Sequence, residues 1–371
     1  MSLVSLNFLG CIFSTEPEKP AEKINLEQIW VYDHSESGDA TPLLSNDTLF
    51  ASADQYVFAL EANTGKLIWR EENDINLVLQ GNKFLKSGNQ IVAHHVKSTK
   101  AWNATTGILE WEYENDPESR NEARRTGKDE ITDKGYTIAS LFSRFYTLNN
   151  NGIVVQTRDF DPSFGVSGVC HWKDEIIVTQ FNSVNGALTL GRLTAINTNS
   201  GDSLWSYNTR YGGFSRAKPI VEDGVLYAGT VGNSETRLFL AFELEQQTPK
   251  WEFTTQNPLG YTEDFILGPD LIYIRSAAYL FVLDKQTGEK VWDFKWTSAT
   301  SVNPVYLGGY VYVSDHYTIY ILDAETGELA HTEPLPEGGG YFWHLTVSED
   351  KLFAQTSYQL IAYEPWHLRK N

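Results

Sequence analysis

One phrase recurs along the chain: VFALEANTGKLIW at 57–69, LFVLDKQTGEKVW at 280–292 and IYILDAETGE at 319–328. Within each copy apolar residues alternate, as Phe281 and Leu283 do, which suits a strand buried on one face. Gly288 then supplies the positive φ of a tight turn, and the next strand runs to Trp292. The phrase predicts strand, turn, strand.

The tryptophans time the repeat. Trp30, Trp69, Trp111, Trp205, Trp251 and Trp292 are spaced by 39, 42, 94, 46 and 41 residues, and 94 is two periods of 47. FYTLNNNGIVVQ at 145–156 fills that double gap with Gln156 in the tryptophan slot, and His331 takes the slot after Trp292. The last repeat, LIAYEP at 360–365, breaks off at Pro365 before any outer strand. The chain also opens with an outer strand, LEQIWVYD at 26–33, that no inner strand precedes. The two halves complete one another.

Periods of 40 to 50 residues with four short strands each point to a propeller, and no long stretch carries helical periodicity. A β-sandwich would not need so regular a repeat. The expected architecture is all-β, an eight-bladed β-propeller of four-stranded blades closed by the N-terminal strand. It should occupy residues 25–366 as one domain, after a leader and flexible tether at 1–24 and before a tail at 367–371.

The repeated pattern of Ala or Val, Leu, Asp, two variable residues, Thr-Gly, three residues and Trp resembles the pyrroloquinoline-quinone-type propeller repeat over about residues 25–364. By length and repeat number the chain resembles the propeller lipoproteins of outer-membrane β-barrel assembly more than the much longer quinoprotein dehydrogenases. The resemblance implies that Trp30, Trp69, Trp111, Trp205, Trp251 and Trp292 dock between neighbouring blades. Large apolar rings at a regular period are ordinary core residues too, so both readings make them structural. Function, on either reading, lies in sites grafted onto the fold.

The 48 acidic against 29 basic side chains leave a net charge of −19, which argues against nucleic acid or anionic lipid as principal partner. The two cysteines, Cys11 and Cys170, suggest no disulfide framework, and Cys170 in GVCHW reads as a small buried hydrophobe. VSLNFLGC at 4–11 resembles the tail of a lipoprotein signal, which makes Cys11 the expected lipidation site. No basic residue precedes it and Phe8 stands where Leu is usual, so Met1, Ser2 and Leu3 are expected to belong to an altered start. The other reading is a leader whose cysteine has no role. IFSTEPEKPAEK at 12–23 is poor in core-forming residues and reads as a tether.

Chemistry is sparse. A quinoprotein dehydrogenase, by resemblance, carries a vicinal cysteine pair, and Cys11 and Cys170 are far apart. His94 and His95 are adjacent and would point to opposite faces of a strand, while His316, His331 and His344 are scattered. DFD at 159–161 and NNNG at 149–152 lack the ligand spacing of a calcium loop and read as turns. No phosphate loop, HExxH or nucleophile elbow is present. No catalytic, cofactor or metal residue is expected.

The Thr-Gly turns should share one face, and the connections between blades the other, where the sequence spends its additional residues. NDPESRNEARRTGKD at 115–129 carries Arg120, Arg124 and Arg125, and FNSVNGALTLG at 181–191 extends a middle hairpin. RYGGFSR, NPLGYTEDF and GGGYFWH set Tyr211, Phe214, Arg216, Tyr261, Tyr341, Phe342 and Trp343 among glycines. Arginine and aromatic side chains on loops are the residue types of interface hot spots, so these ten are the expected partner-binding face. The leading expectation is a non-enzymatic scaffold of the bacterial envelope, monomeric by itself. It would bind another envelope protein, by resemblance a barrel-assembly component, and meet the membrane only through a lipid anchor. A solute- or carbohydrate-binding propeller using Tyr341, Phe342 and Trp343 is the alternative, and a quinone-dependent oxidoreductase the third.

Overall fold

The computed structural model describes residues 25–35, 40–53, 55–72, 84–94, 98–114, 130–131, 135, 137–141, 143–184, 187–209, 212–215, 217–231, 237–255, 262, 264–297 and 302–369. Among these, the strands form eight antiparallel sheets, seven of them from consecutive strands. In chain order the seven are sheet 1 (43–72), sheet 2 (85–114), sheet 3 (130–159), sheet 4 (164–208), sheet 5 (213–255), sheet 6 (264–295) and sheet 7 (305–334). The remaining, composite sheet joins the two ends of the chain: Gln28–Asp33 lies antiparallel to Gln359–Tyr363, which pairs with Leu352–Thr356 and then Phe342–Val347. The protein is an all-β propeller.

Its blades are four-stranded except for sheet 5, where the expected pattern is corrected. There Gly213–Phe214 and Ile220–Glu222 both pair with Val225–Val231, splitting the innermost strand in two and making five. Pro219 explains the division, because a proline cannot donate to a ladder. In sheet 4 the strands Glu175–Val184 and Ala187–Asn197 run long, which is the extended hairpin that FNSVNGALTLG suggested.

The repeated phrase builds a joint between sheets. Asp284 accepts the amides of Gln286 and Thr287 at 2.9 and 2.7 Å, and Gly288 turns the chain at φ 73°. Under that glycine lies Trp251 of the preceding sheet, so close that a Cβ on Gly288 would sit 2.5 Å from the indole. The indole N–H donates to the Lys285 carbonyl at 3.2 Å. The same arrangement sets Trp30 under Gly65, Trp69 under Gly107, Trp111 under Gly152 and Trp292 under Gly327. Only glycine serves at these turns, for its positive φ and for the missing Cβ.

Three joints depart. Gln156, in its tryptophan slot, lies under Gly201. Trp205 meets the turn of sheet 5, which has no glycine, and instead stacks on Phe242 with ring centroids 5.8 Å apart. His331 stacks on Trp366, just past the last strand, at 4.6 Å and an interplanar angle of 6°. Each contact runs from one sheet to the next. Trp30 of the composite sheet meets the turn of sheet 1, and His331 of sheet 7 meets Trp366.

The ends are fastened further. Glu333, 4% exposed, accepts the Leu26 amide at 2.7 Å, and Glu364 donates its amide to the Glu27 carbonyl. Arg369, which the sequence placed in a tail, bonds the Asn25 carbonyl. Cys170 is buried in the core of sheets 4 and 5.

Candidate interaction face

Antiparallel connectivity divides the turns. Those between first and second strands and between third and fourth, including every Thr-Gly turn, emerge on one face; middle hairpins and connections between sheets emerge on the other. On this second face the hairpin Asp315–His316–Tyr317 of sheet 7, the connection into the composite sheet and the hairpin at Ser357–Tyr358 come together.

Their backbones are tied. Phe342 donates its amide to the His316 carbonyl at 3.0 Å, Leu335 to Tyr317 at 2.7 Å, and Ser357 to Tyr341 at 2.9 Å. The Ser357 hydroxyl accepts both the Tyr341 amide, at 3.1 Å, and the Trp343 indole N–H, at 3.0 Å. Beneath the hairpin, buried Asp315 accepts the amides of Tyr317 and Thr318 and the hydroxyls of Thr297 and Tyr320. Burial, and secondarily this bond to Asp315, raises the Tyr320 hydroxyl pKa.

On this hydrogen-bonded base His316, Tyr341 and Trp343 pack edge to face, with centroids 5.3 Å apart for His316 and Tyr341, and the rings of Tyr317 and Tyr341 lie tilted, 5.4 Å apart. Tyr317 is 55% exposed and Tyr341 42%. The Tyr317 hydroxyl is raised above its ordinary range by its hydrogen bond with Tyr341. His316 Nδ1 is buried without a partner. Aromatic rings fixed by backbone hydrogen bonds lose little entropy on contact with a partner, which suits them as anchors.

Two expected face residues are corrected. Phe342 is 0% exposed and packs with Tyr312 and Leu345, because it alternates with Trp343 along one strand and only one of the two can face outward. Phe214, 1% exposed, lies in the core with Cys170 and Leu193. Gly191 makes room for it, since a Cβ there would meet its ring at 3.0 Å. Arg120, Arg124, Arg125, Tyr211, Arg216 and Tyr261, like Cys11, lie outside the described residues. His95 does too, and His94 is described only as part of Gln90–His94.

NNNG forms a turn, and DFD runs from the end of the strand Val154–Asp159 into the next turn. Asn149 accepts the amides of Asn151 and Ile153, Asp161 the amide and hydroxyl of Ser163, and Asp159 pairs with Arg144. Among the described residues no three His, Cys, Asp or Glu side chains gather as a metal site, and no helix is long and apolar enough to cross a membrane. Sequence reasoning missed Tyr317, whose signal was a bulky aromatic at the tip of a hairpin, DHYT, otherwise made of turn formers.

Comparison with known families places this geometry. The model of the family described as outer membrane protein assembly factor BamB matches residues 25–162 and 276–365, more than half of the chain. The chain belongs to this family. Among solved structures, BamB from Moraxella catarrhalis superposes with a TM-score of 0.69 at 16% identity, covering 92% of this chain and 100% of that one. A computationally designed protein, Ika8, gives 0.69 at 12% identity over 92% and 98% of the two chains, and a europium-containing methanol dehydrogenase gives 0.68 at 11% over 92% and 95%. At such identities these three likenesses show the fold alone. No curated protein matches the sequence. The BamB-family propeller thus shares its architecture with an assembly factor, a designed protein and an enzyme alike.

Proposed function

We propose that this BamB-family propeller is a non-catalytic scaffold of the bacterial envelope that docks another protein, an outer-membrane assembly component, through the face bearing Tyr317, Tyr341 and Trp343. The observation that carries this reading is the exposed aromatic cluster on a hydrogen-bonded base, opposite the Thr-Gly turns. Cys11 would tether the propeller to the periplasmic side of the outer membrane or to the cell surface. A quinone site fits poorly, since the chain has no vicinal cysteines. Sugar stacking at 341–343 is weakened by the burial of Phe342, which leaves two rings instead of three.

The test compares the protein with its Tyr317→Ala/Tyr341→Ala variant for capture of purified barrel-assembly proteins. The reading expects capture by the parent and at least tenfold weaker capture by the variant, with melting temperatures alike. Equal capture by both, or capture by neither, would remove this face from the function.

In the same proposal the eight sheets act as eight blades, with Gln28–Asp33 closing the ring. Deleting residues 1–34 should then expose the edge of Gln359–Tyr363 and abolish cooperative unfolding. A shortened chain that melts as sharply as the full one would contradict closure.

A further inference from the structure

At several joints a second contact accompanies the tryptophan. Two residues after it, on the same face of the strand, stands another aromatic ring that meets a ring on the third strand of the next sheet. Tyr32 lies 5.2 Å from Phe58, Tyr113 5.6 Å from Tyr146, and Phe294 5.4 Å from Tyr320, centroid to centroid. Between sheets 3 and 4 both rings are gone, as they are between sheets 1 and 2, where Glu71 and Lys100 stand. Arg158 follows Gln156, and Thr194 stands in the place of Phe58, since it precedes the residue paired with the sheet's own tryptophan: Ala195 pairs with Trp205 as Ala59 pairs with Trp69.

The volume that two rings would fill is left as a cleft of about 320 Å³, at the small end of the range for ligand pockets. Phe160 and Trp205 contribute apolar wall, while Arg158, Arg192, Asp159, Asp161, Gln180 and Thr194 contribute polar groups. Arg158 donates to the Ser203 hydroxyl at 2.8 Å and Arg192 to the Asn208 side-chain carbonyl at 3.0 Å, so both guanidinium groups are held by neutral oxygens. Arg192 is also braced over the Phe164 ring, at 3.9 Å. Arg158 Nε is buried with no acceptor. The two carboxylates of the cleft make their hydrogen bonds to other groups, Asp159 to Arg144 and Asp161 to Ser163, while each also feels a cleft arginine. The lining thus holds two guanidinium groups and two carboxylates, and its formal charges balance on a protein of net charge −19.

The half-buried Arg158 fork, whose Nε lacks an acceptor, suits a planar anion, and carboxylate geometry matches guanidinium best. The hydroxyl and amide groups of Thr194 and Gln180 suit a ligand that carries hydroxyls as well. We propose that the cleft between sheets 3 and 4 binds a hydroxylated carboxylate of monosaccharide size, a uronic acid or a comparable sugar acid, held by Arg158 and Arg192. This site lies apart from the aromatic face and does not depend on the docking function.

Calorimetric titration of the full chain with glucuronate and with glucose, at low and at high salt, tests it. Expected are saturable glucuronate binding, at least tenfold weaker binding of glucose, and weakening by salt. The Arg158→Gln variant should bind glucuronate at least tenfold more weakly with its melting temperature unchanged, and Arg158→Lys should recover only part of the affinity. A glycan ending in a uronate that binds more tightly than the free sugar acid would name a polymer end as the source, and equal binding would name the free acid. Absence of saturable glucuronate binding at low salt, equal binding of glucose, or an Arg158→Gln variant that binds as the parent does would each overturn the assignment.

Discussion

Two joints of the propeller can be set side by side. Between sheets 6 and 7, Trp292 lies under Gly327 and Phe294 meets Tyr320; between sheets 3 and 4, Gln156 lies under Gly201 and Arg158 faces Thr194 across a cleft. The backbone of the turn is the same in both, with φ 74° at each glycine. The difference is therefore one of side chains on a conserved frame. Joints filled by rings hold sheets together through apolar burial, whereas a joint emptied of rings keeps its geometry from the neighbours and has room for chemistry.

The largest expected consequence follows at the apolar joint. Trp292→Ala removes a ring packed between sheets, and chemical denaturation should show a loss of roughly 3–5 kcal/mol. A loss below about 1 kcal/mol would make Trp292 a surface residue and end the comparison.

The polar joint allows the reverse experiment. Since Gly201 already keeps the positive φ and the open space that an indole needs, Gln156→Trp should restore the wedge and stabilise the protein by about 1 kcal/mol, within the usual range for filling a gap. Destabilisation would show that the missing Arg158–aromatic layer, not the missing indole, governs this joint.

The smallest expected effect concerns pH. The Asp284 carboxyl is held below its ordinary value of 3.8, first by the Thr287 amide and further by that of Gln286. With the folded-state pKa depressed, its stabilisation is present above about pH 4 and is lost as pH falls through the folded value. Asn103 and Asn197 make the same turn bonds without a charge. Asp284→Asn should consequently cost less than about 1 kcal/mol at neutral pH and flatten the stability profile below pH 4, as followed by thermal melts. An unchanged acid profile would assign that sensitivity elsewhere.

The fold was legible because its signal is periodic. Six tryptophans and the Thr-Gly turns marked the repeat, and even Gln156 and His331 were found by counting from their neighbours. The face was less legible. Glycine-flanked aromatics look exposed, yet Phe342 and Phe214 are buried, since strand alternation and the space beside Gly191 decide the matter and neither shows in local composition. Arg158 and Arg192 were missed because they belong to no motif and lie 34 residues apart in sequence. The signal that could have found them was the missing ring two residues after the missing tryptophan.

The central claim, that the sheets are joined by an indole filling the space a glycine leaves, is tested most directly by a double-mutant cycle between Trp292 and Gly327. A Cβ at Gly327 would lie 2.6 Å from the Trp292 ring. Gly327→Ala should therefore cost several kcal/mol in the parent, but only the roughly 1–2 kcal/mol of a left-handed alanine once Trp292 is already Ala. Equal cost in both backgrounds, measured by denaturant unfolding, would contradict it.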